Sequence, residues 1–134
     1  KLTNYDTFAI EQYGYFLTRL AETKDLNGKP LLGSTMALFG SGMSYGHSHV
    51  NANLPTLYAG GKKLGVKHGK HIDFNLPKIG KYNVAEANEH YKICGRPVDD
   101  KARLSNLLLT ILQRCGVKTE KFQDSTGVLS EVVA

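Results

Sequence analysis

Apolar side chains at Tyr5, Phe8, Ala9, Tyr13, Phe16, Leu17 and Leu20 recur at spacings of three and four. That period puts them on one side of a helix, which we predict over residues 5 to 24. Gly14 costs such a helix about 1 kcal/mol relative to Ala, a cost that close packing against another element would explain. Asn27-Gly28 breaks the pattern and Lys29-Pro30 prevents its resumption. The apolar run Ser34 to Phe39 (STMALF) has turn residues on both sides and suits a buried strand, and Pro55 to Ala59, closed by Gly60-Gly61, suits a second. From Leu64 to Val98 no period is sustained, and irregular backbone with one short helix near Val84 to Tyr91 is expected. Order returns with Leu104, Leu107, Leu108, Ile111, Leu112 and Cys115, a second helical stripe, with Asp99-Asp100 as its capping residues and Gly116 as its stop. Val117 to Phe122 reads as a final strand, and Asp124-Ser125-Thr126-Gly127 as a turn.

The pattern amounts to two main helices and two or three strands, an α/β arrangement. At 134 residues the chain is the size of one ordinary domain. Apolar residues make up 41% and charged residues 22%, with 14 Gly and 4 Pro, which excludes collagen-like, coiled-coil and disordered classes. No apolar run approaches the ~20 residues that cross a bilayer, and no cationic start leads into an apolar signal core. The first residue is Lys1 and a helical pattern follows almost at once, so we expect a processed product or part of a longer protein, its N-terminal portion missing.

Charge changes the picture modestly. The net charge is +5, and much of the excess sits at Lys62, Lys63, Lys67 and Lys70 around His68, with His71 just beyond. Such a segment favours an anionic partner, and its bland reading is a solvated loop. Nucleic acid is disfavoured because no aromatic residue is interleaved there to stack bases. Cys94 and Cys115 match no CxxC spacing, so a structural zinc site is not indicated. They would pair only in an oxidising compartment; Cys115 also fits the apolar stripe, and packing in the core is the preferred reading.

The densest candidate chemistry is Gly40 to His49 (GSGMSYGHSH), directly after the first strand. Ligand sites of α/β sheets lie at strand ends. In an extended loop His47 and His49 would point to the same side, within reach of one divalent metal ion. Two histidines do not complete a site, and no Asp or Glu lies between Gly33 and Ile72. The competing reading has one or both imidazoles bonded to loop backbone. Gly42 to Gly46 also fits the G-x-S-x-G nucleophile elbow at Ser44, but the residues that follow, including Asn51, Asn53 and Pro55, do not read as the helix an elbow needs. Gly40, Gly42 and Gly46 do not complete a dinucleotide loop, nor Gly60-Gly61-Lys62-Lys63 a phosphate loop.

The first helix, the stretch LLGSTMALFGSGMS, then HSHVNANLPTLYAGG, GKHI, SNLLLTILQRCGVKTEKF and the closing DSTG together resemble the C-terminal part of the HXXSHH family of exported bacterial proteins. The similarity covers Leu2 to Ile72 and Ala102 to Leu129 in order; residues 73 to 101 look like a variable insertion. That family in turn resembles the alkaline phosphatase and sulfatase superfamily. The resemblance implies that residues 1 to 134 are the C-terminal portion of a layered, alkaline-phosphatase-like sheet domain, exported to the periplasm or beyond. It also implies metal-dependent hydrolysis of a phosphate or sulfate ester, with Ser44, His47 and His49 on the metal side and the nucleophile in the missing portion. Tyr45 stands where such proteins commonly carry an acidic residue, which removes one metal ligand. The alternative it leaves is a non-catalytic binding or assembly protein on the same scaffold. Implied partners are the missing N-terminal part or a companion chain, and an anionic small molecule or polysaccharide.

Overall fold

The computed structural model describes residues 2–43, 49, 54–74 and 99–134. It is a small α/β structure: helix α1 (Leu2–Glu22), strand β1 (Met36–Gly40), strand β2 (Thr56–Gly60) and helix α2 (Leu104–Arg114), with short 3-10 turns between them. The chain divides into two compact units. One comprises residues 1–39, 57–68 and 132–134, and the other residues 40–56 and 69–131. The expected helix at Val84 to Tyr91, Cys94 and most of the proposed insertion lie outside the described residues.

β1 and β2 pair in antiparallel fashion, since Gly60 stands beside Thr35 within the first unit and Gly40 beside Thr56 within the second. A two-stranded ribbon is marginal alone and needs a partner on one face. Tyr13 of α1 supplies it: its ring stacks on Phe39 at 5.2 Å, and its hydroxyl donates to Ala37 O at 2.9 Å. Burial raises the Tyr13 phenol above its ordinary value. Ala37, Val66 and Val132 are the buried apolar residues of the first unit. The C-terminal residues join it through an isolated antiparallel bridge between Val133 and Val66, with the Ala134 amide donating to Gly65 O at 2.7 Å.

The stripe predicted on α1 is only half covered. Ala9, Tyr13, Leu17 and Leu20 are half-buried, whereas Tyr5, Phe8 and Phe16 are exposed, Tyr5 by 71%. No residue of α1 is buried. Gly14 meets nothing within 4 Å of where a Cβ would stand, so the close packing expected there is not found among the described residues.

α2 departs further from expectation. Its buried residues are Ser105, Asn106, Leu107, Leu109 and Thr110, while Leu104 is exposed by 46% and Cys115 lies exposed with a free thiol. The apolar stripe is thus rotated away from the covered side. The reason is the segment that packs there. Asn106, 2% exposed, accepts from the Thr126 amide at 2.8 Å and donates to Thr126 Oγ1 at 3.1 Å. Thr110, 1% exposed, accepts from the Leu129 amide at 2.8 Å and donates to Asn106 O at 2.7 Å. Irregular backbone at 126–129 offers amides that cannot be buried unpaired, so polar side chains face it.

Both ends of α2 follow stated rules with local corrections. Asp99 caps a 3-10 turn, Asp100–Ala102, by accepting from Lys101 N at 2.9 Å, and the α-helix begins one turn later without a side-chain cap. Gly116 ends it at φ 86, with its amide on Gln113 O and that of Val117 on Leu112 O, both at 3.0 Å, the two bonds of a Schellman motif. The strand expected at Val117 to Phe122 does not form. Gln113 Nε2 holds Thr119 O at 2.7 Å, Thr119 Oγ1 donates to Lys121 O at 2.8 Å, and the backbone stays irregular.

Thr110→Val keeps the shape of the side chain and removes the acceptor of the Leu129 amide. We expect exchange of that amide to quicken by about tenfold or more, as loss of one buried hydrogen bond worth ~1–3 kcal/mol implies, with little change at the amide of Gly61. Residue-resolved hydrogen exchange measures it.

Candidate functional site

β1 ends in the loop that carried most of the candidate chemistry. At Gly40 a Cβ would stand 3.2 Å from Pro55 O, so the two ends of the β1–β2 connection approach closely there. Ser41 Oγ accepts from the Met43 amide at 3.3 Å. Ser44, Tyr45 and His47 lie outside the described residues. His49 is described, exposed, and has φ 49, in the left-handed region. Backbone at His49 is therefore not extended, and the alternation argument for pairing it with His47 does not apply at this position. Among the described residues no group of three or more His, Cys, Asp or Glu is placed to hold a metal ion.

β2 leads into a turn that only glycine can make. Gly60 and Gly61 have φ 78 and 70. A Cβ on Gly60 would collide with Thr35 O and Leu32 O, and one on Gly61 would stand 2.6 Å from Met36 Cγ and 2.8 Å from Val66 Cγ2. The Gly61 amide donates to Leu32 O at 3.0 Å, and Gly61 O receives the amides of Leu64 and Val66 at 2.8 and 3.1 Å. The result is a 3-10 turn, Lys62–Leu64, with backbone bonds at both its ends.

That turn carries two of the four lysines. Lys63 reaches Asp25 Oδ2 at 3.5 Å and its stem lies along Gly33, so its charge is partly engaged. Asp25 is held below the ordinary carboxylate range chiefly by the Lys29 amide, then by the Asn27 amide and the Lys63 charge. Lys62 and Lys67 are exposed, and the Lys67 backbone is tied to Val132 O at 3.0 Å. Lys70 is exposed and belongs to the second unit. Three of the proposed anion contacts thus share one unit, and Lys63 has an acidic partner that the spacing did not reveal.

His68 is the residue sequence reasoning undervalued. Its Nε2 bonds Gly60 O at 2.5 Å, and its ring lies 6.3 Å from that of Tyr58. It closes the glycine turn from the far side, and the only sequence signal was a histidine within reach of Gly60-Gly61. In the second unit, Arg103 reaches Asp124 Oδ2 at 3.1 Å and Lys101 reaches Glu131 Oε1 at 3.2 Å. The Ser105 hydroxyl first, then Arg103, holds Asp124 below the ordinary carboxylate range, although Ser105 Oγ forms no well-directed hydrogen bond. Both pairs tie the N-terminal approach to α2 to the segment 124–131, and as exposed pairs they contribute little energy.

No protein-family model, curated protein or solved structure matches the chain.

Gly60→Ala should disrupt the turn, because the added methyl meets two backbone oxygens and the left-handed conformation itself disfavours it. We expect a local loss of about 2 kcal/mol or more, read as a roughly thirtyfold faster exchange of the Gly61 amide.

Proposed function

We propose that the chain is the C-terminal part of an HXXSHH-type domain and carries on its β1–β2 connection one side of a metal-dependent phosphate- or sulfate-ester hydrolase site. The observation that supports this reading is the exposed imidazole of His49 on the loop that leaves the end of β1. Histidine is the commonest metal ligand. In this proposal His47 and His49 hold a divalent ion, Ser44 contacts the same loop, and further ligands and the nucleophile come from the missing N-terminal part or a companion chain. Bound metal would polarise the ester oxygen and activate the attacking group. The protein works outside the cytoplasm, in the periplasm or beyond. No described helix is long and apolar enough to cross a membrane.

Elemental analysis of the full-length protein, beside a His47→Ala/His49→Ala variant, tests the ligand role. The wild type should bind metal in a fixed ratio, and the variant's affinity for it should fall at least tenfold, the lower end of what loss of even an outer-shell partner costs. Unchanged metal content in the double variant removes the proposal.

Lys62, Lys63, Lys67 and Lys70 supply the second part of the proposal, attraction of an anionic small molecule or polysaccharide. Replacing all four with Gln should weaken binding of a sulfated polysaccharide more at low than at physiological ionic strength, where screening shortens from ~30 Å to ~8 Å. Titrations at several salt concentrations measure it, and equal affinities at every salt level would leave the lysines as surface.

A second reading has its own observation. The exposed Tyr5, Phe8, Tyr15 and Phe16 on one helix favour a binding or assembly role in which the missing N-terminal part or a companion chain covers α1. A full-length protein without stoichiometric metal would favour this non-catalytic reading.

A further inference from the structure

The chain leaves α1 through a small closed loop with an Asn-Gly pair at its tip. The loop is shut by the Leu31 amide on Thr23 O at 2.9 Å and by an antiparallel bridge between Lys24 and Pro30. Inside it, Asp25 Oδ1 receives the amides of Asn27 at 2.9 Å and Lys29 at 2.8 Å, and Asp25 O receives the amide of Gly28 at 2.9 Å. Asn27 and Gly28 are exposed, Gly28 at φ 73. Glycine has no Cβ, so its amide nitrogen can approach the preceding asparagine side chain with little obstruction.

We propose that Asn27 is a site of spontaneous covalent modification, deamidation through a cyclic imide, and that Asp25 is the gate that holds it closed. The Gly28 nitrogen gives up its proton and attacks Asn27 Cγ. A nitrogen–carbon bond forms, the Cγ–Nδ2 bond breaks, and ammonia leaves carrying a proton. Water then opens the imide to an aspartate or to the isoaspartyl form, in which the backbone path gains a carbon.

The folded loop opposes the first step in three ways. The Gly28 N–H is engaged with Asp25 O, the Asn27 N–H is engaged with the Asp25 carboxylate, and that carboxylate's negative charge disfavours the amide anion the attack needs. Reaction therefore belongs to the opened loop, and its rate reports how often the loop opens. Modification adds one negative charge, and the isoaspartyl product lengthens a loop whose two ends are bridged in fixed register.

The test incubates the full chain, folded and in guanidinium chloride, at one mildly alkaline pH. The mass gain of amide-to-acid conversion is followed on the peptide containing Asn27. We expect the folded chain to react at least about tenfold more slowly than the unfolded one, and Asp25→Ala to recover most of that difference. Equal rates in folded and unfolded chains, or an Asp25→Ala rate equal to the folded wild type's, would overturn the proposal. If Asp25→Ala does not fold, exchange of the Asn27 amide, which the Asp25 carboxylate holds, decides in the wild-type chain: protection close to that of the Leu31 amide supports the gate, and free exchange overturns it.

Discussion

Irregular backbone buried against a helix must give its amides to something, and here Asn106 and Thr110 take them. Two side chains on one covered face bind the Thr126 and Leu129 amides, and Thr110 in turn gives its proton to the carbonyl of Asn106. This constraint explains why polar residues occupy the best-buried positions of α2, beside Leu109 at 1% exposure. An apolar side chain at either position would pack but leave an amide unpaired, at a cost comparable to the burial gained. The segment 124–131 takes its course from these bonds and from the ion pairs of Asp124 and Glu131 at its two ends.

The same constraint marks the limit of what the sequence disclosed. Periodicity located α1, β1, β2 and α2 to within a few residues, because each is long enough or bounded sharply enough for spacing to register. It misjudged which side of α2 is covered. An apolar stripe predicts burial when the opposing element has its own hydrogen bonds satisfied, as a helix or strand does. Here the opposing element is irregular, so acceptors outrank methyl groups. Val117 to Phe122 failed as a strand for a related reason: β-prone residues need a neighbour to pair with, and Gln113 and Thr119 already occupy the local carbonyls. Cys115 followed the stripe in sequence and the exposed side in space.

For the candidate site, residue types were legible and geometry was not. The histidines and lysines could be read directly, as could the glycine punctuation around them. The left-handed backbone of His49, the engagement of Lys63 by Asp25 and the bond from His68 to Gly60 O depend on chain positions that no local pattern encodes. Gly60-Gly61 is the informative case. Read as turn chemistry, the pair suggested only a stop to β2. In the structure the two glycines are obligatory, because carbonyls of Thr35 and Leu32 and side chains of Met36 and Val66 fill the space a Cβ would need.

That tight turn bears on function through rigidity. A binding group is effective when its carrier does not have to be ordered at the moment of binding. Lys62 and Lys63 stand on a 3-10 turn whose backbone is held from three sides, by Leu32 O, by internal bonds to Gly61 O and by the C-terminal residues Val133 and Ala134 at Val66 and Gly65. Their flexible stems still cost entropy, but the backbone that carries them is already hydrogen-bonded in place. α1 presents the opposite arrangement, a rigid element with large apolar side chains and nothing over half of them among the described residues. A fixed basic turn is suited to an anionic ligand, and an uncovered aromatic helix face is suited to protein. The two features make different demands on a partner, negative charge for the turn and apolar surface for the helix.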